Sequence, residues 1–322
     1  MKKEKERIIG FCCNECAYAA ADLAGQSGMK YPINTRIIRT PCSGSTDPFW
    51  ILEGLVQGAK GVFVSGCLPD QCHYGDGNVH AEESINFLKK ILKAIGINPK
   101  YVTSYYNSAG MPEAFSNSTS DFVKDVLSLP DLPDIKDKVK SEDKRERFLE
   151  ILLAYATVLD TLEKVDEKSI PREGFGMITV DDDKCVSCGS CTLLCETDAI
   201  TAKETKKYRK MFYEHHLCTG CEACIRACPT DAIIVKKEIH LKPFLAKEKK
   251  QFAGNQFVAC SKCGAIYATV DILEEIKDEF ELIDSKIVSL CPVCRREQVG
   301  EDYVNLSKYL ISANLATEEE VK

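Results

Sequence analysis

Two successive runs of the form C-x2-C-x2-C-x3-C constrain this chain more than anything else in it: Cys185, Cys188, Cys191 and Cys195, then Cys218, Cys221, Cys224 and Cys228. That spacing holds a [4Fe–4S] cube, with three close thiolates wrapping one cluster and the fourth reaching to its neighbour. Structural zinc is the competing occupant, but zinc takes four ligands, whereas this ladder supplies two interleaved sets of four. The remaining cysteines are grouped too. Of eighteen in 322 residues, six lie at or before residue 72, eight between 185 and 228, and four between 260 and 294, with none from 73 to 184.

Such clustering means either disulfides or metal chemistry, depending on redox compartment. The opening Met1-Lys2-Lys3-Glu4-Lys5-Glu6-Arg7 is charged, and the apolar run Ile8 to Cys13 is short for a signal core. No stretch approaches the roughly 18 apolar residues of a membrane span. A reducing, cytoplasmic setting with metal-bound thiols is therefore expected. A net charge of −7 argues against general nucleic-acid binding, which needs a basic surface.

Residues 1 to about 106 alternate strand and helix patterns. Ile8 to Cys12, Arg36 to Thr40, Gly61 to Ser65 and Tyr101 to Tyr105 are β-rich runs bounded by turn signals. Asp47-Pro48 opens a helix through Phe49, Leu52, Leu55 and Val56. Ile85, Leu88, Leu92 and Ile95 mark another, which Gly96 stops. The alternation predicts a flavodoxin-like parallel sheet, with active groups at the carboxyl ends of the strands. Cys12, Cys13 and Cys16 follow strand one, Cys42 follows strand two, and Cys67 and Cys72 follow strand three. With strand one between strands two and three, all three loops converge. The first loop lacks G-x-G-x-x-G, so thiols stand where a nucleotide phosphate would sit. Six thiols suit an iron–sulfur cluster with two left over: Cys42, Cys67 and Cys72 with one from the first loop, Cys13 by preference and Cys12 or Cys16 as alternates. Buried core thiols are the competing reading. His73 and His80 are expected at the surface or behind the ligands.

The strings FCCNECAYAAADLAG (11–25), IIRTPCSG (37–44) and GVFVSGCLPDQCHYGDGN (61–78) resemble the delta subunit of methyl-viologen-reducing hydrogenase. The resemblance spans about residues 6 to 130. It implies a [2Fe–2S] cluster on the N-terminal thiols and a role carrying electrons from a hydrogenase or formate dehydrogenase to the flavin of a heterodisulfide-reductase-type subunit. This chain departs from the family at Leu68, Asp70 and Gln71, where a histidine and a Gly-Asp pair are usual.

Beyond this block, residues 107 to 178 read as two helices and a charged linker, with Pro130, Pro133 and the run Asp134 to Arg147 breaking the pattern. The second helix shows a stripe of Phe148, Ile151, Leu152, Tyr155, Leu159 and Leu162, expected to pack on the chain's own domains, with a partner-docking helix as the alternative. In the ladder, Cys195-Glu196-Thr197-Asp198-Ala199-Ile200 repeats as Cys228-Pro229-Thr230-Asp231-Ala232-Ile233. This block resembles bacterial two-cluster ferredoxins. The resemblance implies one cluster on Cys185, Cys188, Cys191 and Cys228, and the other on Cys218, Cys221, Cys224 and Cys195. Glu196 replaces the usual proline and is expected in an exposed turn. Lys203, Lys206, Lys207, Arg209 and Lys210 read as solvated surface, or alternatively as a basic docking patch.

Two knuckles, Cys260-x2-Cys263 and Cys291-x2-Cys294, lie 27 residues apart. On hairpins they would form a four-thiolate tetrahedral site, read as a zinc ribbon. Mononuclear iron, as in rubredoxin (though Arg295 replaces its usual glycine), and a third [4Fe–4S] cluster are the alternatives.

The expected fold is thus an α/β flavodoxin-like domain (1–130), a helical connector (131–176), an α+β ferredoxin-like domain with two [4Fe–4S] clusters (177–240) and a zinc-ribbon-like domain (241–322). The expected function is an electron-transfer subunit of a flavin-based electron-bifurcating complex. Its partners would be a heterodisulfide-reductase-type flavoprotein and a hydrogenase, formate dehydrogenase or NADH-oxidising module. The alternatives are a stand-alone disulfide or persulfide oxidoreductase using the surplus N-terminal thiols, and an iron–sulfur redox sensor.

Overall fold

Strand and helix alternate along the N-terminal part of the computed structural model, which describes residues 6–165, 168–279 and 285–319. In order come β1 (Ile8–Cys13), α1 (Ala19–Gln26), β2 (Thr35–Thr40), α2 (Pro48–Val56), β3 (Gly61–Gly66), α3 (Gly77–Ala94), β4 (Val102–Tyr106) and α4 (Pro112–Leu127). The four strands form a parallel sheet in the order β2-β1-β3-β4, so the first strand lies between the second and third as expected. Strand β3 is buried along its whole length, as a parallel strand covered on both faces must be, whereas the edge strand β2 exposes Arg36, Ile38 and Arg39. Helix α2 begins where Asp47 accepts the backbone N–H of Phe49 (2.9 Å), with Pro48 at its first position. Helix α3 stops at Gly96, whose φ of +85° lets Ile97 N–H reach back to the Leu92 carbonyl (2.8 Å).

Helix α5 (Lys144–Val158) follows, capped by Asp143, whose carboxylate accepts from Glu146 N–H (2.8 Å). Phe148, Ile151, Leu152 and Tyr155 are buried, as the stripe predicted. Leu159 and Leu162 correct that reading, since they lie past the helix end. Asp160 adopts φ +54°, and the N–H groups of Asp160 and Thr161 close on the carbonyls of Thr157 and Ala156, ending the helix a turn early. Arg147 fastens α5 to α2 through a two-pronged pair with Glu53 (Nε and Nη2 at 2.9 and 2.8 Å).

The chain continues through β5 (Ser169–Pro171), β6 (Met177–Val180), α6 (Ser190–Leu193), β7 (Ile200–Glu204), β8 (Tyr208–Glu214), α7 (Ala223–Ala227), β9 (Ile233–Lys236), β10 (Glu238–His240), α8 (Leu241–Leu245), β11 (Lys249–Ala259), β12 (Ile266–Thr269), α9 (Val270–Glu279), α10 (Ser285–Val288) and α11 (Pro292–Glu319). These elements divide between two compact units. The first is the chain up to Arg172 together with Glu238–Ala246. There β10 pairs antiparallel with β5, and Phe244 of α8 meets Phe148 edge-on at 6.2 Å. The second holds Glu173–Lys237 and the chain from Lys247 onward.

Within the second unit β6 pairs with β9, while β7 and β8 form a hairpin that long β11 extends into the sheet β12-β11-β8-β7. That extension was not foreseen from sequence. The first C-terminal knuckle sits in the turn between β11 and β12, as expected of a hairpin. The second does not: Cys291 precedes α11 and Cys294 lies in its first turn. Pro292 at the first helical position and the helix-forming Arg295-Arg296-Glu297-Gln298 favour a helix there over the second hairpin a zinc ribbon would need. Among the described residues no helix is long and apolar enough to cross a membrane.

Replacing Arg147 by Met should destabilise the first unit by about 1–2 kcal/mol, the worth of a half-buried charge-assisted pair. The hydrogen bond from Arg147 holds the Glu53 carboxyl below its ordinary range. Its contribution is therefore present above the unfolded value near pH ~4.3 and lost as pH falls through the lower folded value. Denaturant melts at neutral pH and at about pH 3 check both; equal losses at the two pH values would refute the pairing.

Candidate metal centres

The N-terminal thiols collect at the carboxyl ends of β1, β2 and β3. Cys13 ends β1, and its Sγ lies 3.8 Å from that of Cys67, which follows β3. Cys16 stands on a π-helical turn (Asn14–Tyr18) inserted before α1, within interaction reach of Cys67. Cys42 and Cys72 interact with each other, and both face Gly77 at the start of α3. A Cβ on Gly77 would lie 2.2 Å from the Cys42 sulfur and 3.4 Å from that of Cys72, so this approach requires glycine. The thiols thus form two groups, Cys13 and Cys16 about Cys67, and Cys42 with Cys72. Each iron of a [2Fe–2S] cluster takes two thiolates, and Cys67 with either first-loop thiol would complete such a set. Cys12 is fully buried within β1, where desolvation pushes its thiol up to about 12. It behaves as a core thiol.

Electrostatics differ between the groups. Desolvation raises Cys67, the sulfur against Cys13 and Cys16. For Cys72 desolvation also works upward, but backbone N–H groups of Tyr74, Asn78 and Gly77 outweigh it and hold the thiol below its ordinary value. Gly77 and Asn78 open an 18-residue helix, whose dipole favours a thiolate, and Tyr74 lies in the turn before it. His73 and His80 are exposed, and His80 sits beside Asp76 and Glu83 (3.3 and 3.4 Å).

The two ladder halves repeat each other in backbone as well as sequence. Left-handed φ values occur at Ser187, Gly189 and Asp198, and at Gly220, Glu222 and Asp231, the same positions 33 residues later. These turns fold each loop back over its ligands. A hollow in the core is lined by Cys185, Cys188 and Cys191 together with Cys228 of the other half, and by Met211 and Phe252. Burial pushes Cys191 up to about 12, helped by Cys188, Cys185 and Cys224. Burial likewise takes Cys224 up to about 11, with Cys218, Cys195 and Cys221 adding repulsion. Each trio therefore has the fourth cysteine of the opposite half within its field. Backbone N–H groups also point at the crossing sulfurs, from Ile200 to Cys195 (3.4 Å) and from Ala232 to Cys228 (3.3 Å). Ile178, Ile200, Met211 and Ile233 wall off water. Glu196 is exposed, as are Lys203, Lys206, Lys207 and Lys210. Arg209 is not part of that surface. It turns inward, donating to the carbonyls of Ser187 (3.0 Å) and Cys188.

Cys260, Cys263, Cys291 and Cys294 close to within 4.8 Å of one another. A tetrahedral ion with metal–sulfur bonds of about 2.3 Å separates its sulfurs by about 3.8 Å, and Cys263 and Cys291 stand 3.7 Å apart. No other trio of His, Cys, Asp or Glu among the described residues closes so tightly. The donor set fits a single ion here, and the wider ladder sets fit clusters. Backbone N–H from Cys291, with those of Cys263 and Lys262, brings Cys260 down to about 6, while desolvation takes Cys294 up to about 12. Arg295 donates to the carbonyls of Ile287 and Leu290 (both 3.1 Å), tying α10 to α11 beside the knuckle. The sequence did flag Arg295, but not this clasp.

Comparison with known proteins follows the same division. Residues 8–129 match the family described as methyl-viologen-reducing hydrogenase, delta subunit, and residues 178–235 match a 4Fe-4S dicluster domain. The iron-sulfur subunit of the vhc F420-non-reducing hydrogenase of Methanococcus voltae is 39% identical over 123 residues, 38% of this chain and 85% of the relative. The iron-sulfur subunit of the F420-non-reducing hydrogenase of Archaeoglobus profundus is 38% identical over 130 residues, 40% of this chain and 95% of that protein. One subunit of the ferredoxin:CoB-CoM heterodisulfide reductase of Methanosarcina mazei is 46% identical over 119 residues, 37% of this chain; the match spans 15% of that longer relative.

Loading the intact chain with cobalt should give the spectrum of a tetrahedral four-thiolate ion, and Cys260→Ser should abolish it. Because every ligand must be deprotonated, acidification should release the ion. A cobalt spectrum that survives Cys260→Ser would refute the site.

Proposed function

The chain belongs to the methyl-viologen-reducing hydrogenase delta-subunit family, and on that premise we propose that it is an electron-transfer subunit of a flavin-based electron-bifurcating complex. It relays electrons from a hydrogenase, formate dehydrogenase or NADH-oxidising module to a heterodisulfide-reductase-type flavoprotein. The observation that carries this reading is the crossing of the ladder: the hollow at Cys185, Cys188 and Cys191 takes its fourth thiol from Cys228. A disulfide scaffold has no use for such a crossing, and the C-x2-C-x2-C-x3-C spacing with the dicluster-domain match favours [4Fe–4S] cubes over zinc.

In this reading Cys185, Cys188, Cys191 and Cys228 hold one [4Fe–4S] cluster, and Cys218, Cys221, Cys224 and Cys195 hold the other. Cys13, Cys67, Cys42 and Cys72 hold a [2Fe–2S] cluster, while Cys260, Cys263, Cys291 and Cys294 hold zinc. Bound clusters of these kinds supply one-electron carriers. The chain's own residues do the rest. Gly77 admits Cys42 and Cys72 side by side, and the α3 N-terminus steadies the Cys72 thiolate. Ile200 and Ala232 N–H groups take part of the charge on the crossing sulfurs. Ile178, Met211 and Ile233 keep water from the thiols.

Reduced chain should pass electrons to a heterodisulfide-reductase-type flavoprotein and show no turnover with hydrogen, formate or NADH alone. Sustained reduction of a small disulfide by the isolated chain would contradict the relay and favour an oxidoreductase acting in its own right. At the residue level, Gly77→Ala should cost about two irons per chain and the [2Fe–2S] electron paramagnetic resonance signal, leaving the other clusters in place. Cys12→Ala should keep every cluster. Retention of the [2Fe–2S] signal in Gly77→Ala and its loss in Cys12→Ala would reverse the ligand assignment.

A further inference from the structure

The 33-residue offset that carries Cys185 onto Cys218 also carries Gly176 onto Arg209. Each of these residues grips the ligand loop of the opposite half, but by different means. Gly176 uses its backbone, donating N–H to the Cys218 carbonyl (3.2 Å). No side chain fits there, since a Cβ would lie 2.6 Å from Gly220 Cα and 2.8 Å from the Cys218 sulfur. Arg209 uses its guanidinium, donating from Nη1 to the carbonyls of Ser187 (3.0 Å) and Cys188. Gly189 makes room for it, because a Cβ there would stand 2.9 Å from Nη1. The guanidinium also lies over the Phe257 ring of β11, 5.1 Å from its centroid, and pairs with Glu204 at 2.7 Å. Its side chain is 19% exposed. One loop is thus held by neutral backbone and its counterpart by a largely desolvated cation.

We propose that Arg209 is a positioning residue that raises the reduction potential of the cluster held by Cys185, Cys188, Cys191 and Cys228 above that of its neighbour, so that a single electron entering the pair comes to rest on that half. The inference rests on the cluster assignment above. One-electron reduction adds one negative charge to a centre already surrounded by four thiolates. A fixed cation against the ligand loop, partly shielded from water, stabilises the more negative state. The other half has Arg226 on α7, between Cys224 and Cys228, but that side chain is exposed and screened by water. The loop of that half carries Glu222, its crossing cysteine is followed by Glu196, and the nearby ammonium of Lys237 faces two carboxylates, Glu173 (3.2 Å) and Glu222 (3.8 Å). In the first half Lys184 is matched by Asp181 (3.8 Å) and Arg209 by Glu204 (2.7 Å), but Glu204 is 52% exposed and screened by water, so the less exposed guanidinium is the distinguishing charge. The C-terminal strands take part as well. Phe257 backs the guanidinium, and Thr269 at the end of β12 donates to the Val186 carbonyl (2.7 Å) in the same loop.

The test is an anaerobic potentiometric titration of the full chain with dithionite, followed by electron paramagnetic resonance, with iron counted in every sample. Wild type should show two one-electron [4Fe–4S] steps at separate potentials. Arg209→Gln should lower the upper step and leave the other unmoved. Glu204→Gln, which frees the cation from its counter-charge, should raise the same step, and Arg209→Lys should stay near wild type. Opposite signs for the two Gln variants separate a charge effect from loosened structure, which would push both the same way. Shifts of one sign, or no shift, would overturn the proposal. Should Arg209→Gln lose iron, the remaining variants decide: a raised step in Glu204→Gln with Arg209→Lys near wild type supports it, and an unmoved step overturns it. A wild-type chain that takes up iron but shows no [4Fe–4S] steps would instead overturn the cluster assignment beneath it.

Discussion

Thiolates gathered in a protein interior repel one another and lose their solvation, and the rest of this structure is arranged around that conflict. Burial pushes Cys191 and Cys224 up to about 12 and about 11, and neighbouring sulfurs push in the same direction. Metal is what makes such a set of charges tenable, since a ligand must be deprotonated and binding displaces its proton. The fold contributes geometry and a few N–H donors. In the first unit the parallel sheet delivers its thiols to one edge, and the start of α3 supplies donors to Cys72. In the second, left-handed residues at matching positions bend the two loops, and Cys228 of one lines the hollow at the trio of the other.

Most of this arrangement was legible because it is written in short spacings and local patterns. The ladder, its repeat, the helix start at Asp47-Pro48 and the stop at Gly96 are local signals, and the structure bears them out. The place of β1 between β2 and β3, taken from a flavodoxin-like order, is the one observed, whereas the place of β4 was not foreseen. What escaped notice depends on long-range pairing. Lys249–Ala259 has no strong strand signature, yet its antiparallel register with β8 joins the C-terminal cysteines to the ladder's sheet. The return of Glu238–Ala246 to the first unit through β10 and Phe244 is equally non-local. The helix under the second knuckle replaced an expected hairpin because Pro292 and the residues after it favour helix once Cys291 is anchored. Among the basic residues, nothing in sequence separated Arg209 from its solvated neighbours until the repeat was laid over Gly176.

The C-terminal part is therefore more than an appended metal site. Strand β11 extends the β7–β8 hairpin, Phe257 covers Arg209, and Thr269 holds the carbonyl of Val186 one residue beyond Cys185. Four thiols closing to within 4.8 Å clamp the β11–β12 turn onto the start of α11. A single ion there would stiffen the same sheet that steadies the first ligand loop. Such an ion would give the C-terminal site a structural reason to share a chain with the ladder.

The central claim is that these cysteines divide into three clusters and one mononuclear ion. Anaerobic metal and sulfide analysis of the fully reconstituted chain tests it most directly. The account predicts about ten irons, about ten acid-labile sulfides and about one zinc per chain. About six irons or fewer would contradict the three-cluster division, and about fourteen irons without zinc would contradict the single ion at Cys260, Cys263, Cys291 and Cys294.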